Sequence, residues 1–529
     1  MHTLHKIHKI AIITLLICTG LAFPVSAAKW TAQWIWQSQD GPANTWLCLR
    51  KKVTLSKKPS NAPTRIAAEN NYWLYINGRL VVPNGGLDVR PDLDNTYYDS
   101  LDISQWLVEG DNIIAVLVWY KGGNNGYSQL MVDKGGFLFE TDLSGVSPAN
   151  IVSDNTWKIR VHPSFEPTKQ QKQWGDWKWV SYPVHYDARN DPGDWTLPSY
   201  NDEIWTAASQ KGVPPAGPWN TLIHRTIPLW KEYEPSSYLN RSGIPSSITK
   251  NTTIKADVGI NVQGRAYLKL NAPAGVTVTI RMNEFYTGRY ITKAGEQEYT
   301  TYQWQNTNGK PWSKHYVEYA FSNVKGTVEI IDLKFQKSTY NTDFIGKFNC
   351  NNQRLNTLWE KCRNTSLVCM RDIFYDCPCR ERGQWWGDVS EQILYSFYLF
   401  DERASLLAKK GFRELMNTQK NNGSLYTTAP GIHFHLPDQN LAAVMSFDDY
   451  FLYTGDTALV VELYPKMERY IRDYVVNTQN SDGMLIIQKG PWNWIDWGSN
   501  LDVKIGSANT VVNGVFIKAM ETMKNLAQV

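Results

Sequence analysis

A multidomain chain is predicted: two antiparallel β-sandwich domains followed by part, about half, of an (α/α)6 barrel. Three observations carry this reading. Short strands separated by turn residues fill positions 29 to about 140, and a second strand-rich block runs from about 231 to 345. Near Asn351 the apolar spacing then changes from period two to the three-and-four spacing of helices. With 529 residues the chain is long enough for several separate cores.

The elements follow in chain order. Residues 1–27 read as a signal peptide. Lys6 and Lys9 precede an apolar run from Ile10 to Ala22, and Val25-Ser26-Ala27 gives a small-residue cleavage site. The run is too short to span a bilayer, and no later segment has the length or apolarity of a membrane helix. Ile17 is too large for lipoprotein processing at Cys18. The expectation is therefore an exported, soluble protein, periplasmic or extracellular.

Residues 28–230 are assigned to the first sandwich. Trp73-Leu74-Tyr75-Ile76, Asn77-Gly78 and Leu80-Val81-Val82 read as a hairpin, because Asn-Gly suits a type I′ turn. The turn at Glu109–Asn112 leads into Ile113–Tyr120, an apolar run of strand length. From 141 to about 230 the chain is irregular and rich in Trp and Pro, and is expected to supply long loops and a few strands completing this domain. Residues 231–345 form the second sandwich. Ala266–Leu270 and Val276–Met282 alternate in the strand manner around Asn271–Gly275, and His315–Phe321 and Gly326–Ile331 repeat the theme.

Residues 346–529 are assigned to the partial barrel. Asn351-Asn352 can cap a helix carrying Leu355, Leu358, Trp359, Cys362 and Leu367. Further helices are expected near 388–400, 402–419, 439–454, 457–478 and 508–527. Six is half of the twelve that an (α/α)6 barrel needs. The last runs almost to Val529 without a terminal turn signal, so its apolar residues are expected to need partners beyond it.

Composition narrows the function classes. The 54 basic and 50 acidic residues are scattered, giving a formal charge of +4, with no basic stripe for nucleic acid. The 23 Trp are unusual beside 28 Tyr and 17 Phe. Many must be core, yet Trp also stacks on the C–H face of a sugar ring. Cys48, Cys350, Cys362, Cys369, Cys377 and Cys379 are too sparse for a disulfide scaffold, and one residue between Cys377 and Cys379 makes a poor zinc pair. Buried thiols with at most one bridge are expected.

The densest chemistry lies in Asp376-Cys377-Pro378-Cys379-Arg380-Glu381-Arg382-Gly383-Gln384-Trp385-Trp386-Gly387-Asp388, a loop between two predicted helices. Glycosidic cleavage needs one carboxylic acid to protonate the leaving oxygen and a second carboxylate to act on water or on the sugar. A general acid here requires Arg380 and Arg382 to point away from Glu381, since either guanidinium would lower its proton affinity. A structural account competes: Asp388-Val389-Ser390-Glu391 reads as a capping box, and mixed Arg and carboxylates often form surface ion pairs. A second cluster, Trp492, Trp494, Asp496 and Trp497 in the loop Gly490–Gly498, suits a sugar platform with a polar anchor, or loop packing under a barrel mouth. Gly431–Asp438 carries His433 and His435 without a visible third metal ligand. One of its side chains is expected to reach the pocket. Asp448-Asp449 is either a pocket carboxylate pair or a solvated face with Tyr450 packed inward.

In the form Asp-Cys-Pro-x-Arg-Glu-Arg followed by Gly-Asp, the 376–388 loop resembles the signature of bacterial α-L-rhamnosidases of glycoside hydrolase family 78. Trp34-Ile35-Trp36, the Tyr72–Gly78 hairpin and the domain order are similar too, from residue 29 to the end. The resemblance implies a galactose-binding-like first sandwich and inverting hydrolysis of terminal α-L-rhamnosyl residues in plant-type glycosides or polysaccharides. It makes Glu381 the general acid. Asp376 and Asp388 become ligands to rhamnose hydroxyls, with Arg380, Trp386, Trp492, Trp494, Asp496 and Trp497 lining the pocket. It also places the general base beyond residue 529, so that the chain stops inside the catalytic domain. The implied partner is a rhamnose-containing glycan or glycoside. Inverting hydrolysis needs no cofactor; a sandwich can carry a structural Ca²⁺, but no ligand set in the sequence places one. A carbohydrate-binding remnant, or an inverting glycosidase for another sugar, are the alternatives.

Overall fold

A computed structural model describes residues 29–123, 126–171, 181–282, 285–303, 305–307, 315–379, 381–488 and 505–529. The expected leader at 1–27 lies outside them. The first sandwich packs a seven-stranded sheet on a six-stranded one. In the six-stranded sheet, Thr45–Leu55 and Gly110–Tyr120 run antiparallel for eleven residues, Thr45 opposite Tyr120 and Leu55 opposite Gly110. Asn71–Ile76 continues it and turns at Asn77-Gly78 into Arg79–Gly85. Asn77 and Gly78 adopt φ of +52° and +83°, as a type I′ turn requires.

The apolar run Ile113–Tyr120 has a structural reason: this sheet is covered on both faces. Successive strand side chains point to opposite sides. Leu47, Leu49, Val116 and Val118 therefore enter the first sandwich's own core, while Trp46, Cys48, Leu117 and Trp119 pack into the core of the second sandwich. There Trp46 stacks on Trp119 at 4.6 Å and on Phe165 at 3.9 Å.

The second sandwich has a six-stranded and a seven-stranded sheet. Within the irregular 141–230 segment, Asn150–Val152, Lys158–Val161, Ser209–Gly212 and Thr221–His224 complete the first sandwich as expected, but two strands depart from that expectation. Phe165–Glu166 and Val184–Asp187 do not complete the first domain; they extend the second, Val184–Asp187 lying parallel to Phe285–Ile291. Parallel pairing across a hundred residues leaves no local signal, so their membership was invisible in sequence. Among the described residues Cys48, Cys350, Cys362, Cys369, Cys377 and Cys379 form no disulfide.

Among the described residues six helices follow: α1 (Gln353–Val368), α2 (Trp386–Leu399), α3 (Arg403–Asn417), α4 (Pro437–Thr454), α5 (Thr457–Arg469) and α6 (Thr510–Leu526). Asn352 caps α1, its side chain accepting from the Arg354 N–H at 3.0 Å. Asn509 caps α6 in the same way. The α5 rod continues as a π-turn, Tyr470–Val475, and a 3-10 turn, Val476–Thr478. Helix α2 packs on α4 and α4 on α6, while α3 packs on α5, so alternate helices are neighbours, as in a toroid of helical hairpins. No helix among the described residues is long and apolar enough to cross a membrane.

Candidate functional site

The site is built on the loop that joins α1 to α2. Asp376 is tied to Gly383 from both sides: its N–H donates to the Gly383 carbonyl at 2.9 Å, and its carboxylate accepts the Gly383 N–H at 2.8 Å. This closes the intervening residues into a ring. Inside it Glu381 is buried, with 5% of its surface exposed. The Glu381 N–H donates to Cys377 Sγ at 3.3 Å, and Glu381 Oε2 accepts the indole N–H of Trp385 at 2.7 Å.

Burial first, and then the charges of Glu381 and Asp388, push the Asp376 carboxyl from its ordinary range up to about 7. Cys377, hydrogen-bonded to Asp376, is pushed up to about 12 by burial and by the Asp376 charge, so its thiol stays protonated at neutral pH. The three carboxylates Asp376, Glu381 and Asp388 share one locality, close enough for the charges of the other two to raise Asp376.

The guanidinium of Arg382 points away from Glu381. Held in the left-handed region at φ +49°, the residue sends Nε to the Pro378 carbonyl at 2.9 Å and Nη2 to Gln305 Oε1 of the second sandwich at 3.2 Å. Arg380 lies outside the described residues.

Two expectations are corrected. Helix α2 begins at Trp386 and not at Asp388, so Asp388 is an exposed first-turn acid rather than the head of a capping box. Its charge there suits the positive end of the helix. Trp386, expected in the pocket, is fully buried in the helical core against Phe412 at 5.1 Å. The phase of α2 explains it: Trp386, Val389, Ile393 and Ser396 form the buried stripe. Trp385, one residue earlier and off that stripe, is the indole that meets Glu381. That helical phase, read backwards from Ile393, was a usable signal.

The rim was not legible. Trp385 stacks on Phe434 at 5.5 Å, and Tyr127, from the loop after strand Gly110–Tyr120, meets Trp385 at 5.6 Å, His433 at 5.7 Å and Phe434 at 5.8 Å. His433 thus joins the rim, whereas His435 faces Tyr474, and burial lowers it to about 4. Tyr450 packs inward and is buried, while Asp448 and Asp449 are half-exposed. The loop with Trp492, Trp494, Asp496 and Trp497 lies outside the described residues. Among the described residues no group of three or more His, Cys, Asp or Glu is placed to hold a metal ion.

Two sandwiches and a run of helical hairpins, with Asp376 and Glu381 in the loop before α2, fit part of a six-hairpin glycosidase fold. Residues 343–529 match the bacterial α-L-rhamnosidase six-hairpin glycosidase domain, and residues 57–224 match the α-L-rhamnosidase N-terminal domain. The chain belongs to the bacterial α-L-rhamnosidases of glycoside hydrolase family 78. An α-L-rhamnosidase of Formosa agariphila is 23% identical over 90% of this chain and 52% of its own length. The family 78 rhamnosidase of Bacillus sp. GL1 superposes with a TM-score of 0.81 at 17% identity, over 94% of this chain and 74% of that one. The α-L-rhamnosidase of Streptomyces avermitilis, complexed with L-rhamnose, superposes at 0.71 with 18% identity, over 92% and 46%. The chain spans about half the length of the curated relatives it matches.

Proposed function

We propose that the protein carrying this chain hydrolyses terminal α-L-rhamnosyl residues of plant-type glycosides or polysaccharides with inversion, outside the cytoplasm and without a cofactor. Glu381 gives its proton to the glycosidic oxygen as the C–O bond breaks. Water adds to the opposite face of the anomeric carbon, and a general base contributed from beyond residue 529 takes the water's proton. Asp376 and Asp388 hold rhamnose hydroxyls, with Arg380, Trp492, Trp494, Asp496 and Trp497 completing the pocket. The observation that carries this reading is the buried Glu381 carboxyl in the loop before α2, held by the Trp385 indole N–H with Asp376 close by. Membership of the family and the L-rhamnose complex of the Streptomyces avermitilis relative support the sugar.

The test is turnover of a panel of aryl α-L-glycosides by the full-length gene product, with ¹H NMR of the first anomer released. Rhamnose alone should be released, as the inverted anomer. Glu381→Gln should lower kcat by about 10²–10⁴-fold while leaving rhamnose binding within a few-fold. Release of another sugar, a retained anomer or an undiminished Glu381→Gln variant each overturns a named part of the reading.

A further inference from the structure

The rim of the site crosses a domain boundary. Tyr127 belongs to the first sandwich, yet its loop sits between two loops of the helical domain. Ser128 Oγ accepts the Gln384 N–H at 2.7 Å and reaches the Thr428 carbonyl at 3.4 Å. On the far side Gly431 lies so close that a Cβ there would fall 1.6 Å from the Tyr127 carbonyl oxygen and 2.7 Å from that of Thr428. The approach is backbone against backbone, which only glycine permits.

Phe434 completes the clamp in a left-handed conformation, φ +59°, which a bulky residue adopts only when its surroundings impose it. The Thr427 N–H donates to the Phe434 carbonyl at 3.1 Å, and Thr428 Oγ1 donates to the His433 carbonyl at 2.9 Å. Tyr127 and Phe434 together fix the Trp385 ring, whose N–H ends 2.7 Å from Glu381 Oε2. An indole serving only as packing would not need its single donor aimed at the buried carboxylate of Glu381.

We propose that Tyr127 of the first sandwich is a positioning residue for the acid: it holds Trp385 so that the indole N–H fixes the Glu381 carboxyl toward the glycosidic oxygen. This rests on the reading of Glu381 as general acid. Proton transfer requires heavy atoms about 2.6–3.2 Å apart, and a misplacement of about 1 Å costs on the order of 10²-fold. The defect should therefore grow with the need of the leaving group for a proton.

The experiment compares methyl α-L-rhamnoside, whose alkoxide leaves only when protonated, with 2,4-dinitrophenyl α-L-rhamnoside, whose phenolate leaves unaided. It uses the full-length protein and three variants, Trp385→Phe, Tyr127→Ala and Gly431→Ala. Each variant should lose kcat/KM on the methyl glycoside at least about tenfold more than on the dinitrophenyl glycoside. Trp385→Phe keeps a stacking ring and removes only the donor, so it decides the matter if Tyr127→Ala folds poorly. Equal losses on both substrates, or none, would mean that the rim is packing alone, and the proposal falls while the rhamnosidase reading stands. A wild-type protein that turns over neither substrate removes the rhamnosidase reading itself, and this inference with it.

Discussion

At Asp376 a single carboxyl couples the site to pH. Its proton affinity rises from the ordinary carboxylate value near 3.8 to about 7 because folding buries it beside Glu381 and Asp388. Between those two values the folded state binds more protons than the unfolded chain, so stability falls as pH rises through the window and is full below it. Asp376→Asn removes the titration. Urea melts of the wild type should weaken from about pH 4 to pH 7 more steeply than those of the variant, which should be relatively more stable at pH 8. Parallel curves would show that Asp376 ionises as freely in the fold as in the unfolded chain. The acidic residues of this loop were legible because Asp, Glu and Gly crowd one interhelical stretch. The choice between Trp385 and Trp386 depended instead on where α2 begins, and one residue of helical phase moved the wrong indole into the pocket. Tyr127 had no local mark at all, since its role arises from a contact between segments distant in sequence.

At the scale of elements, α3 braces the site from behind. Lys410 and Glu414, four residues apart on that helix, are both buried and paired. Lys410 Nζ also donates to the Asp372 carbonyl at 2.8 Å, while Glu414 Oε2 accepts from Gln384 Nε2 at 3.1 Å. Gln384 is the residue whose N–H meets Ser128, so the pair stands under the junction of rim and loop. Breaking a buried pair strands the remaining charge. Lys410→Met should cost about 3–5 kcal/mol in denaturant unfolding, and adding Glu414→Leu should return a large share of it. A double variant as unstable as the sum of its singles would show that the two residues act independently. The helices themselves were readable to within a few residues because the apolar period marks them, and at α1 the cap agrees: Asn352 stands where the sequence puts it. Two strands of 141–230 were not, because Phe165–Glu166 and Val184–Asp187 are too short to show a period and find their partners in another domain.

For the molecule as a whole, the sheet shared by both sandwiches decides how the β part unfolds. Trp46 and Trp119 lie on a strand pair of the first sandwich, but their rings belong to the second core, stacked with Phe165 and edge-on to Tyr302 in the case of Trp46. Detaching either sandwich would expose this aromatic layer to water. A large buried aromatic contributes about 3–5 kcal/mol on truncation, more than a polar inter-domain contact supplies. The two sandwiches should therefore melt in one calorimetric transition, despite having separate inner cores. Trp46→Ala should lower that transition as a unit, with circular dichroism and Trp fluorescence moving together. If the variant instead splits the β signal into two transitions with only one displaced, the sandwiches are independent domains that touch. Tyr127 would then ride on a unit able to move relative to Glu381. The same measurement thus tests whether the first sandwich is rigid enough to hold a residue of the acid's rim in place.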